Sequence, residues 1–515
     1  MYIVHFTEAG KVGKEERRLL LGGKGASLAE MSTDLGLSVP PGFVITTEAF
    51  HRFQKDQSLL FLEEEIVRSM SILETSTGRV FGDPRNPLLV SVRSGAPVSM
   101  PGMMDTILNL GLNTQTTLGL AAKSNSVFAS ACRSRFESMF DEIVIQKGSI
   151  DILHAPSDVW RQLHLAIEAV FHSWNTPRAQ TYREVEGISE DLGTAVTVQA
   201  MVFGNMGEHS GTGVLFTRNP STGADELFGD FLSDAQGEDV VSGSQKTLGL
   251  EEMEEIIPEV FQELVEVAEL IENASTDMCD IEFTVEEKKL WILQSRVGKR
   301  TPTAAIRIAV EMAIDPDFPL THQEAMDRLT PQQLQSALAM DQISESSLPI
   351  AKGLGASPGV ATGQLVFTAD AAVEESDKGV DVVLVRPETS PADVHGMAVS
   401  QGIITATGGL ASHAAVVARG WGIPAVVGVS ILSISEELAT FDGVTFTAGE
   451  IVTLDGTTGE IFSGNTKIGA SETTPAVDVL LSWIEDIIRE NKIEILSNTP
   501  HWERLQIVQN MKTSN

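Results

Sequence analysis

The chain has 515 residues, of which 36 are basic and 71 acidic, giving a formal net charge of −35, and 42% of its residues are hydrophobic. Such a length predicts roughly three to four structural units with real hydrophobic cores. The negative charge argues against nucleic acid or an anionic membrane as a general partner, because like charges repel. Its two cysteines, Cys132 and Cys279, lie far apart without metal-ligand spacing, as is typical of a reducing compartment.

The N-terminal residues are charged, and no uninterrupted run of about eighteen apolar residues occurs in the sequence. The sequence therefore predicts neither a signal peptide nor a membrane-spanning helix. We expect a cytoplasmic protein with no membrane partner.

Residues 1–302 mix helical and strand patterns. LGGKGASLAEMSTDLG starts with glycines and continues as a predicted helix with Leu28 and Met31 on one apolar edge, and LLVSVRSGA predicts a buried strand. Lys24 stands between two glycines, so we expect it to reach a phosphate from a flexible loop, and Arg93 ends the buried strand. Single basic residues of this kind are also common as surface charges.

The segment DIEFTVEEKKLWILQSR predicts two strands joined by a charged turn at Glu287 to Lys289. In that register Glu282 faces Gln294. Asp280 faces Arg296 on the same polar side, and the other side is apolar. A carboxylate and an amide on neighbouring strands suit Mg²⁺ carrying nucleotide phosphates, with Arg296 placed to neutralise the γ-phosphate. The same alternation also describes ordinary half-exposed strands.

The segment GNMGEHSGTGVLFTRNPSTG, residues 204–223, concentrates glycines and small polar residues as a phosphate-cradling loop does. No GK[ST] follows the glycines, so the segment does not satisfy the Walker pattern. The sequence therefore argues against a simple P-loop nucleotide hydrolase.

The pattern changes twice further along the chain. Residues 303–347 predict a helical connector, and residues 348–465 alternate short strands with glycines as a compact α/β domain does. Residues 466–515 predict a linker followed by one amphipathic helix, VDVLLSWIEDIIREN. We favour docking of this helix on its own chain over binding of a partner.

The segment TATGGLASHAAVVARGWGIPAVVG contains His413 directly after a glycine pair and at the start of a predicted helix. Gly408 and Gly409 allow backbone amides to approach an anion, and Ser412 is a candidate N-cap. The positive helix end disfavours imidazolium, and a neutral ring nitrogen is the nucleophile that phosphoryl transfer needs. The alternative is that the Ser-His pair only caps the helix.

Several strings together resemble the pyruvate, phosphate dikinase family of PEP-utilising enzymes. They are GGKGASLAEM, SVRSGAPVSMPGMMDTILNLGLN, FHSWNTPRA, VFGNMGEHSGTGVLFTRNPSTG, AQGEDVVSG, DIEFTVEEKKLWILQSRVGKRT, ASPGVATGQLVFTADAA and the His413 segment. The match runs almost continuously from Lys24 to about Gly464. The string SMPGMMDT distinguishes the dikinases from related phosphoenolpyruvate synthases and rifampicin phosphotransferases, which differ there.

The resemblance implies an ATP-grasp nucleotide-binding domain at 1–302, then the helical connector, then a swivelling α/β phosphohistidine domain at 348–465. It implies that His413 takes the β-phosphoryl group of ATP while the γ-phosphoryl passes to inorganic phosphate, giving AMP and pyrophosphate. Mg²⁺ would be held by Glu282 and Gln294. The residues that would bind nucleotide phosphates are Lys24, Arg93, Asp280, Glu282, Gln294 and Arg296, and Arg93 and Arg296 would also assist catalysis.

Two departures from the family pattern matter. Family dikinases continue into a C-terminal barrel that binds pyruvate or phosphoenolpyruvate, whereas this sequence ends at Asn515, so the pyruvate half-reaction is expected only if a separate chain supplies the barrel. Ala411 stands where many dikinases carry a regulatory threonine. Two alternatives stay open: phosphorylation of another small molecule, or a non-catalytic nucleotide-binding regulator.

Two further residues have structural interpretations. Arg419, near the far end of the predicted His413 helix, is expected to be a surface or packing residue instead of a phosphate ligand. Asp105 either contacts nucleotide or braces its loop, and the sequence leaves both open.

Overall fold

The computed structural model describes residues 1–98, 100, 104–146, 152–242, 248–316, 318–338, 341–343, 348–410, 412–435, 438–466, 468–470, 474–496 and 498–510. These residues divide into two compact units. The first unit comprises Met1–Gly211, Ser233–Ala235 and Glu282–Ser295, and the second comprises Thr212–Leu232, Gln236–Ile281 and Arg296–Asn515. The predicted mixture of helix and sheet is confirmed, whereas the predicted domain boundaries stay a prediction.

The first unit is built from helices around an antiparallel sheet. Its α-helices are Lys14–Thr33, Thr47–Asp56, Glu63–Thr77, Thr114–Lys123, Ser126–Phe140, Val159–Ser173 and Pro177–Glu186. Shorter helical turns are Phe6–Lys11, Leu60–Leu62, Asp141–Gln146 and Glu190–Leu192, and a small parallel pair joins Val80–Phe81 to Pro87–Leu88.

The sheet of the first unit has the described strands Ile3–His5, Gly42–Ile45, Ala195–Ala200, Val90–Gly95 and Thr106–Leu110, in that spatial order. All neighbouring strands run antiparallel. Strand Ala195–Ala200 is buried at every position because it lies at the centre of the sheet. The predicted buried strand around Val90–Gly95 is therefore confirmed.

A second sheet orders its described strands as Leu248–Gly249, Phe228–Ser233, Gly211–Phe216, Cys279–Glu286 and Lys289–Val297. The division between the two units passes through this sheet, so Glu282 and Gln294 count with the first unit and Asp280 and Arg296 with the second. The strand pair predicted from alternation is present. Its turn holds only Glu287 and Lys288, not the three residues predicted.

The turn is short because both of its residues adopt the left-handed conformation, with φ of 48° for Glu287 and 68° for Lys288. Two consecutive left-handed residues match the twist of the flanking strands. The backbone N–H of Glu287 donates to Ser210 Oγ at 3.0 Å, and that of Lys288 donates to the His209 carbonyl at 3.0 Å. These donations hold a conformation that the residues themselves disfavour.

The helices of the second unit lie on both sides of residue 300. They are Gly237–Ser242, Leu250–Ile256, Pro258–Ser275, Pro302–Ile314, His322–Asp327, Pro331–Leu338, Ala369–Asp377, Val394–Val399, His413–Trp421, Pro475–Glu490 and His501–Asn510, with a short turn at Pro391–Asp393. Across the described residues, no helix combines the length and the apolar character needed to cross a bilayer.

The largest sheet among the described residues has eight strands. Their spatial order is Ala351–Lys352, Glu460–Ser463, Ile451–Asp455, Val360–Val366, Val382–Arg386, Gly402–Thr405, Ala425–Val427 and Leu354–Ser357. A three-stranded sheet, Leu432–Ser435, Leu438–Phe441 and Val444–Thr447, follows the His413 region in the chain.

Both faces of the eight-stranded sheet are covered by core. Val383 and Val385 belong to one hydrophobic cluster, and Val382 and Leu384 belong to the other. Successive side chains of a strand point to opposite faces, so a strand buried on both sides reads as a continuous apolar run. The helix His413–Trp421 packs through its alanines into the second cluster.

The predicted linker and C-terminal helix differ in part from the structure. A short strand, Ile468–Ala470, pairs antiparallel with Asp341–Ile343 from the end of the predicted helical connector. Helix Pro475–Glu490 buries Leu480 and Ile484 against its own chain, as favoured from the sequence. A second helix, His501–Asn510, was not predicted, because its apolar pattern is weak.

Candidate functional site

His413 lies at the carboxyl edge of the eight-stranded sheet. Strand Val382–Arg386 pairs in parallel with Gly402–Thr405, and the residues that follow each strand meet at that edge. The backbone N–H of Thr407 donates to the Pro387 carbonyl at 2.9 Å, which ties the two following loops together. In open α/β sheets, ligands bind in the crevice outside the carboxyl ends of such strands.

The imidazole of His413 is half-buried and held from one side. The hydroxyl Oγ1 of Thr389 lies 3.1 Å from Nδ1 of the ring, within hydrogen-bond distance. Thr389 is itself only 7% exposed, so its position is fixed by packing. With Nδ1 engaged by the hydroxyl, Nε2 is the ring nitrogen left for chemistry.

The environment of His413 favours the neutral ring. Burial lowers the pKa of His413 below its usual value, and the nearby Asp393 carboxylate acts in the opposite direction with a smaller effect. Desolvation penalises the charged imidazolium, which explains the sign. A nucleophilic nitrogen with a free lone pair is therefore the dominant form at neutral pH.

A small concavity lies beside the ring. Hydroxyl groups and a glycine make up most of its wall, which consists of Glu388, Thr389, Thr405, Thr407, Gly408, Ser412, His413 and Ala414. Gly408 has φ of 102°, and a Cβ at this position would lie 3.1 Å from Ser412 Oγ. The glycine therefore permits the loop to fold closely over the serine.

Ser412 occupies the N-cap position of helix His413–Trp421, as predicted, but its side chain does not accept the capping hydrogen bond. The residue is 5% exposed, and its Oγ makes no hydrogen bond in the described structure. A buried hydroxyl without a partner is uncommon. Ala411, the departure noted in the sequence, lies outside the described residues.

Arg419 at the far side of this helix is a packing residue, and the alternative of a surface residue is wrong. It is 1% exposed. Its guanidinium donates to the Ala356 carbonyl at 2.9 Å and to the Leu410 carbonyl at 2.6 Å.

In the first unit, Lys24 lies on helix Lys14–Thr33 and not on the flexible loop expected. The helix kinks at Gly22, whose φ is 69° and ψ 166°, and Lys24 follows the kink. The Cβ of Lys24 lies 3.7 Å from where a Cβ on Gly95 would stand, at the end of the strand that carries Arg93. Arg93 pairs with Thr197 across the sheet.

The same helix reaches the hairpin that carries Gln294. Ser27, one turn after Lys24, donates from Oγ to the Ser295 carbonyl at 2.7 Å. Positions i and i+3 lie on one helix face. The first unit thus brings the helix of Lys24 beside both the Arg93 strand and the Gln294 strand.

The conformation of Gly22 leads to a prediction about the stability of the protein. A Cβ on Gly22 would stand 1.8 Å from the Gly95 carbonyl oxygen, and its φ of 69° is unfavourable for other residues. We expect Gly22→Ala to lower the free energy of unfolding by about 3 kcal/mol or more, measured by urea denaturation. Gly23→Ala is the matched control, since the same added carbon would meet no atom closer than the Ala96 oxygen at 3.5 Å. Equal losses in both variants would contradict the steric account.

Glu282 and Gln294, the predicted magnesium ligands, are both half-buried on neighbouring strands of the hairpin. Among the described residues, no group of three or more His, Cys, Asp or Glu side chains is arranged to hold a metal ion. Glu282 and Gln294 supply one carboxylate and one amide, oxygen donors of the kind that Mg²⁺ binds, and their assignment as magnesium ligands stays a prediction.

Asp280 and Arg296 meet in the second unit, as predicted. The Arg296 Nε lies 2.9 and 2.8 Å from the two oxygens of the Asp280 carboxylate. The Asp280 side chain is 3% exposed and that of Arg296 is 37% exposed. Arg296 therefore has one side fixed by a buried carboxylate and another open to solvent.

The glycine-rich segment 204–223 has mostly structural contacts. Gly211–Phe216 is a buried strand, and the Gly207 N–H donates to the Asp234 carboxylate at 3.1 Å. The Asn219 side chain accepts from the backbone N–H groups of Ser221 and Thr222. The phosphate-cradling role stays a prediction.

Asp105 forms an ion pair within the first unit, which agrees with a bracing role, and contact with nucleotide stays a prediction. Its carboxylate is 7% exposed and lies 2.7 Å from a guanidinium nitrogen of Arg178. Arg178 belongs to the string FHSWNTPRA, so this ion pair joins two of the strings that resemble the family.

Comparison with known proteins supports that resemblance. Residues 18–77 and 60–248 match the model described as pyruvate phosphate dikinase, AMP/ATP-binding domain, and residues 379–459 match the PEP-utilising enzyme, mobile domain. The second match contains the strands, loops and helix around His413.

Curated relatives match along nearly the whole chain. Pyruvate, phosphate dikinase 1, chloroplastic, from Arabidopsis thaliana is 44% identical over 96% of this chain and 56% of its own length. Pyruvate, phosphate dikinase 2 from Oryza sativa subsp. japonica is 42% identical over 97% of this chain and 61% of its own length. The protein of the same name from Zea mays is 42% identical, with 96% and 61% covered. The chain thus spans less than two thirds of these relatives.

Proposed function

Since the chain belongs to the pyruvate, phosphate dikinase family of PEP-utilising enzymes through its ATP-binding and mobile domains, we propose that it is a phosphotransferase whose His413 is phosphorylated by ATP in the presence of inorganic phosphate. The observation that carries the proposal is the His413 ring itself. It is half-buried and neutral, is held at Nδ1 by Thr389, and opens on a hydroxyl-lined concavity.

The proposed step forms a bond from Nε2 of His413 to the β-phosphorus of ATP while the bridging bond between the α- and β-phosphates breaks. AMP leaves with the electron pair of that bond. An oxygen of inorganic phosphate then bonds to the γ-phosphorus while the bond from the γ-phosphorus to the β–γ bridging oxygen breaks. Pyrophosphate leaves, and the bridging oxygen keeps the electron pair and stays with the β-phosphoryl group on the ring. The proton stays on Nδ1, where the Thr389 hydroxyl can accept the hydrogen bond.

We propose that basic residues of the predicted nucleotide-binding domain bind the nucleotide phosphates. In the first unit, Lys24 lies near Gly95 at the end of the strand that carries Arg93. In the second unit, the Arg296 side chain is partly open to solvent. Such groups stabilise the charge that spreads over the transferring oxygens. Asp280 would contribute by orienting Arg296.

Glu282 and Gln294 would hold Mg²⁺, which when bound neutralises charge on the nucleotide phosphates. Onward transfer to pyruvate, or the reverse transfer from phosphoenolpyruvate, would need the family's barrel, either further along the polypeptide or on a separate chain.

The test is transfer of label from [β-³²P]ATP to the purified protein with Mg²⁺, with and without phosphate. Acid-labile label that accumulates as the monophosphoryl form only with phosphate would support the proposal. Absence of label under all nucleotide, metal and phosphate concentrations, with ATP binding intact, would overturn it. A protein that only binds nucleotide would then be the better description.

The pH dependence of labelling follows from the environment of the ring. Burial lowers the pKa of His413 from its usual value of about 6.5. We expect the initial labelling rate to stay level from pH 8.5 down to about 6.5 and to fall only below it, as the ring gains a proton. ATP binding measured at each pH is the control. A fall in rate between pH 8 and 7 that binding does not explain would contradict this.

The same shift affects stability with a defined sign. The unfolded state binds a proton near pH 6.5, whereas the folded state resists it, so the unfolded state holds more protons just below that pH. The contribution of His413 to folding is therefore complete above about pH 6.5 and is lost as the pH falls through its lowered folded pKa.

A further inference from the structure

Arg419 is one of the largest fully buried side chains in the described structure, and its hydrogen bonds go to backbone carbonyls of two different segments. It donates to the Leu410 carbonyl in the loop that precedes His413 and to the Ala356 carbonyl on strand Leu354–Ser357. Its Nε has no hydrogen-bond partner among the described residues. Burying a guanidinium costs free energy unless nearby groups compensate its charge.

The compensating groups come from the strands of the predicted nucleotide-binding domain. The guanidinium carbon lies 5.4 Å from the ring centroid of Phe216. Burial lowers the pKa of Arg419 to about 10, and the carboxylates of Asp230 and Asp280 act in the opposite direction. Arg419 therefore remains a cation at neutral pH. These three residues belong to the second unit, as Arg419 does.

Other contacts accompany Arg419 at the same place. Ser221 donates from Oγ to the Ala356 carbonyl at 3.4 Å, the same oxygen that Arg419 uses. An added Cβ on Gly420 would lie 3.8 Å from the Lys299 side chain, and one on Gly422 would lie 3.8 Å from Pro302. The end of the helix that begins at His413 thus lies on residues that precede the predicted connector.

Arg419 therefore links three parts of the second unit. It hydrogen-bonds the loop before His413 and the strand that carries Ala356, and its guanidinium lies near the Phe216 ring. The carboxylates of Asp230 and Asp280 act on its charge from a greater distance.

We propose that Arg419 is a positioning residue for phosphorylation of His413: it fixes the loop carbonyl of Leu410 while its guanidinium is held by the Ala356 carbonyl and lies near the Phe216 ring. The catalytic consequence rests on the proposed function, whereas the ordering of the loop does not. A residue acting in this way changes the rate of transfer more than the affinity for ATP, because it orients the acceptor and does not touch the nucleotide.

The test compares Arg419→Met, which keeps the length and removes the charge and donors, with Arg419→Lys, which keeps the charge. The matched control is Arg183→Met. Arg183 is 2% exposed, donates to the Trp174 carbonyl at 2.6 Å and lies 4.1 Å over the Trp174 ring, but it belongs to the first unit.

Two quantities are measured on the full chain at a temperature where each variant is folded. One is the rate of labelling by [β-³²P]ATP with its ATP dependence, and the other is amide hydrogen exchange of residues 405–416. For Arg419→Met we expect the rate to fall about 100-fold with unchanged half-saturating ATP, and the loop to exchange faster. We expect Arg419→Lys to recover part of both, and Arg183→Met to change neither.

The substitution Asp230→Asn tests whether the charge of Arg419, and not only its packing, orders the loop before His413. If Arg419 acts through the carboxylate, the double variant Arg419→Met/Asp230→Asn will exchange no faster than Arg419→Met alone, so the two effects will not add. Additive effects, or unchanged loop exchange in Arg419→Met, would overturn the proposal. Should the wild type fail to take label, the proposed function fails, but the exchange measurements still decide the role of Arg419.

Discussion

Replacement of His413 by glutamine is expected to abolish ATP-dependent, acid-labile labelling while ATP binding stays within about twofold of the wild type. Glutamine keeps polarity and much of the side-chain volume but has no nitrogen able to form the phosphoryl bond. The Thr389 hydroxyl, which lies 3.1 Å from Nδ1, can still hydrogen-bond a side-chain amide, so the fold of the loop should survive. The measurement is quantitative labelling with [β-³²P]ATP, paired with calorimetric ATP titration.

His395→Gln provides the matched control for this experiment. His395 lies in the predicted phosphohistidine domain, on helix Val394–Val399. Its Nε2 is 3.0 Å from an Asp370 oxygen, but its side chain is 51% exposed. We expect this variant to label at the wild-type rate. Label persisting in His413→Gln, or lost equally in His395→Gln, would exclude His413 as the carrier.

Periodicity predicted the hairpin that carries Asp280 and Arg296 because alternation fixes which side chains share a face. Alternation placed Asp280 and Arg296 on the same polar face, and their 2.8 Å contact agrees with that. The length and conformation of the turn were not predicted. Glu287 and Lys288 lack the glycine or asparagine that usually marks two left-handed residues, and their conformation depends on donations to residues far away in the sequence.

Around His413, the sequence predicted only the features that neighbouring residues in the chain determine. The glycine pair and the helix start are local signals, and the structure places Ser412 at the N-cap as expected. Thr389 was missed because it reaches the ring from the loop after a neighbouring parallel strand, and no local pattern indicates which strands will be neighbours. The parallel pairing could have suggested that loop as a place to search.

The conformation of Gly22 was also not predicted from the sequence. The string GGKG favours a flexible loop, yet the structure has a kinked helix in which Gly22 approaches the Gly95 carbonyl. The spacing of apolar residues along a helix does not indicate where two backbones approach closely. The glycines before Lys24 were the available signal, because close approach of two backbones requires a residue without a Cβ.

Replacement of Arg296 by methionine should reduce the labelling rate about 1,000-fold, because a guanidinium that neutralises phosphoryl charge in a transition state contributes on that scale. The variant also loses stability. It leaves the buried Asp280 carboxylate, whose side chain is 3% exposed, without the hydrogen bonds of Arg296, and leaving a buried acceptor unpaired costs about 1–3 kcal/mol. Labelling must therefore be measured well below the unfolding midpoint of the variant.

Arg300→Met distinguishes loss of charge at the phosphates from loss of a buried ion pair. Arg300 lies near Arg296 in the chain and binds both oxygens of Asp277, at 2.5 and 2.7 Å, with both side chains 14% exposed. We expect a comparable loss of stability and little change in labelling. Arg296→Lys should recover part of the rate, since it keeps a positive charge but not the planar fork. If Arg296→Met and Arg300→Met slowed labelling equally after correction for the folded fraction, Arg296 would be a structural residue, and the γ-phosphate would need another cationic partner.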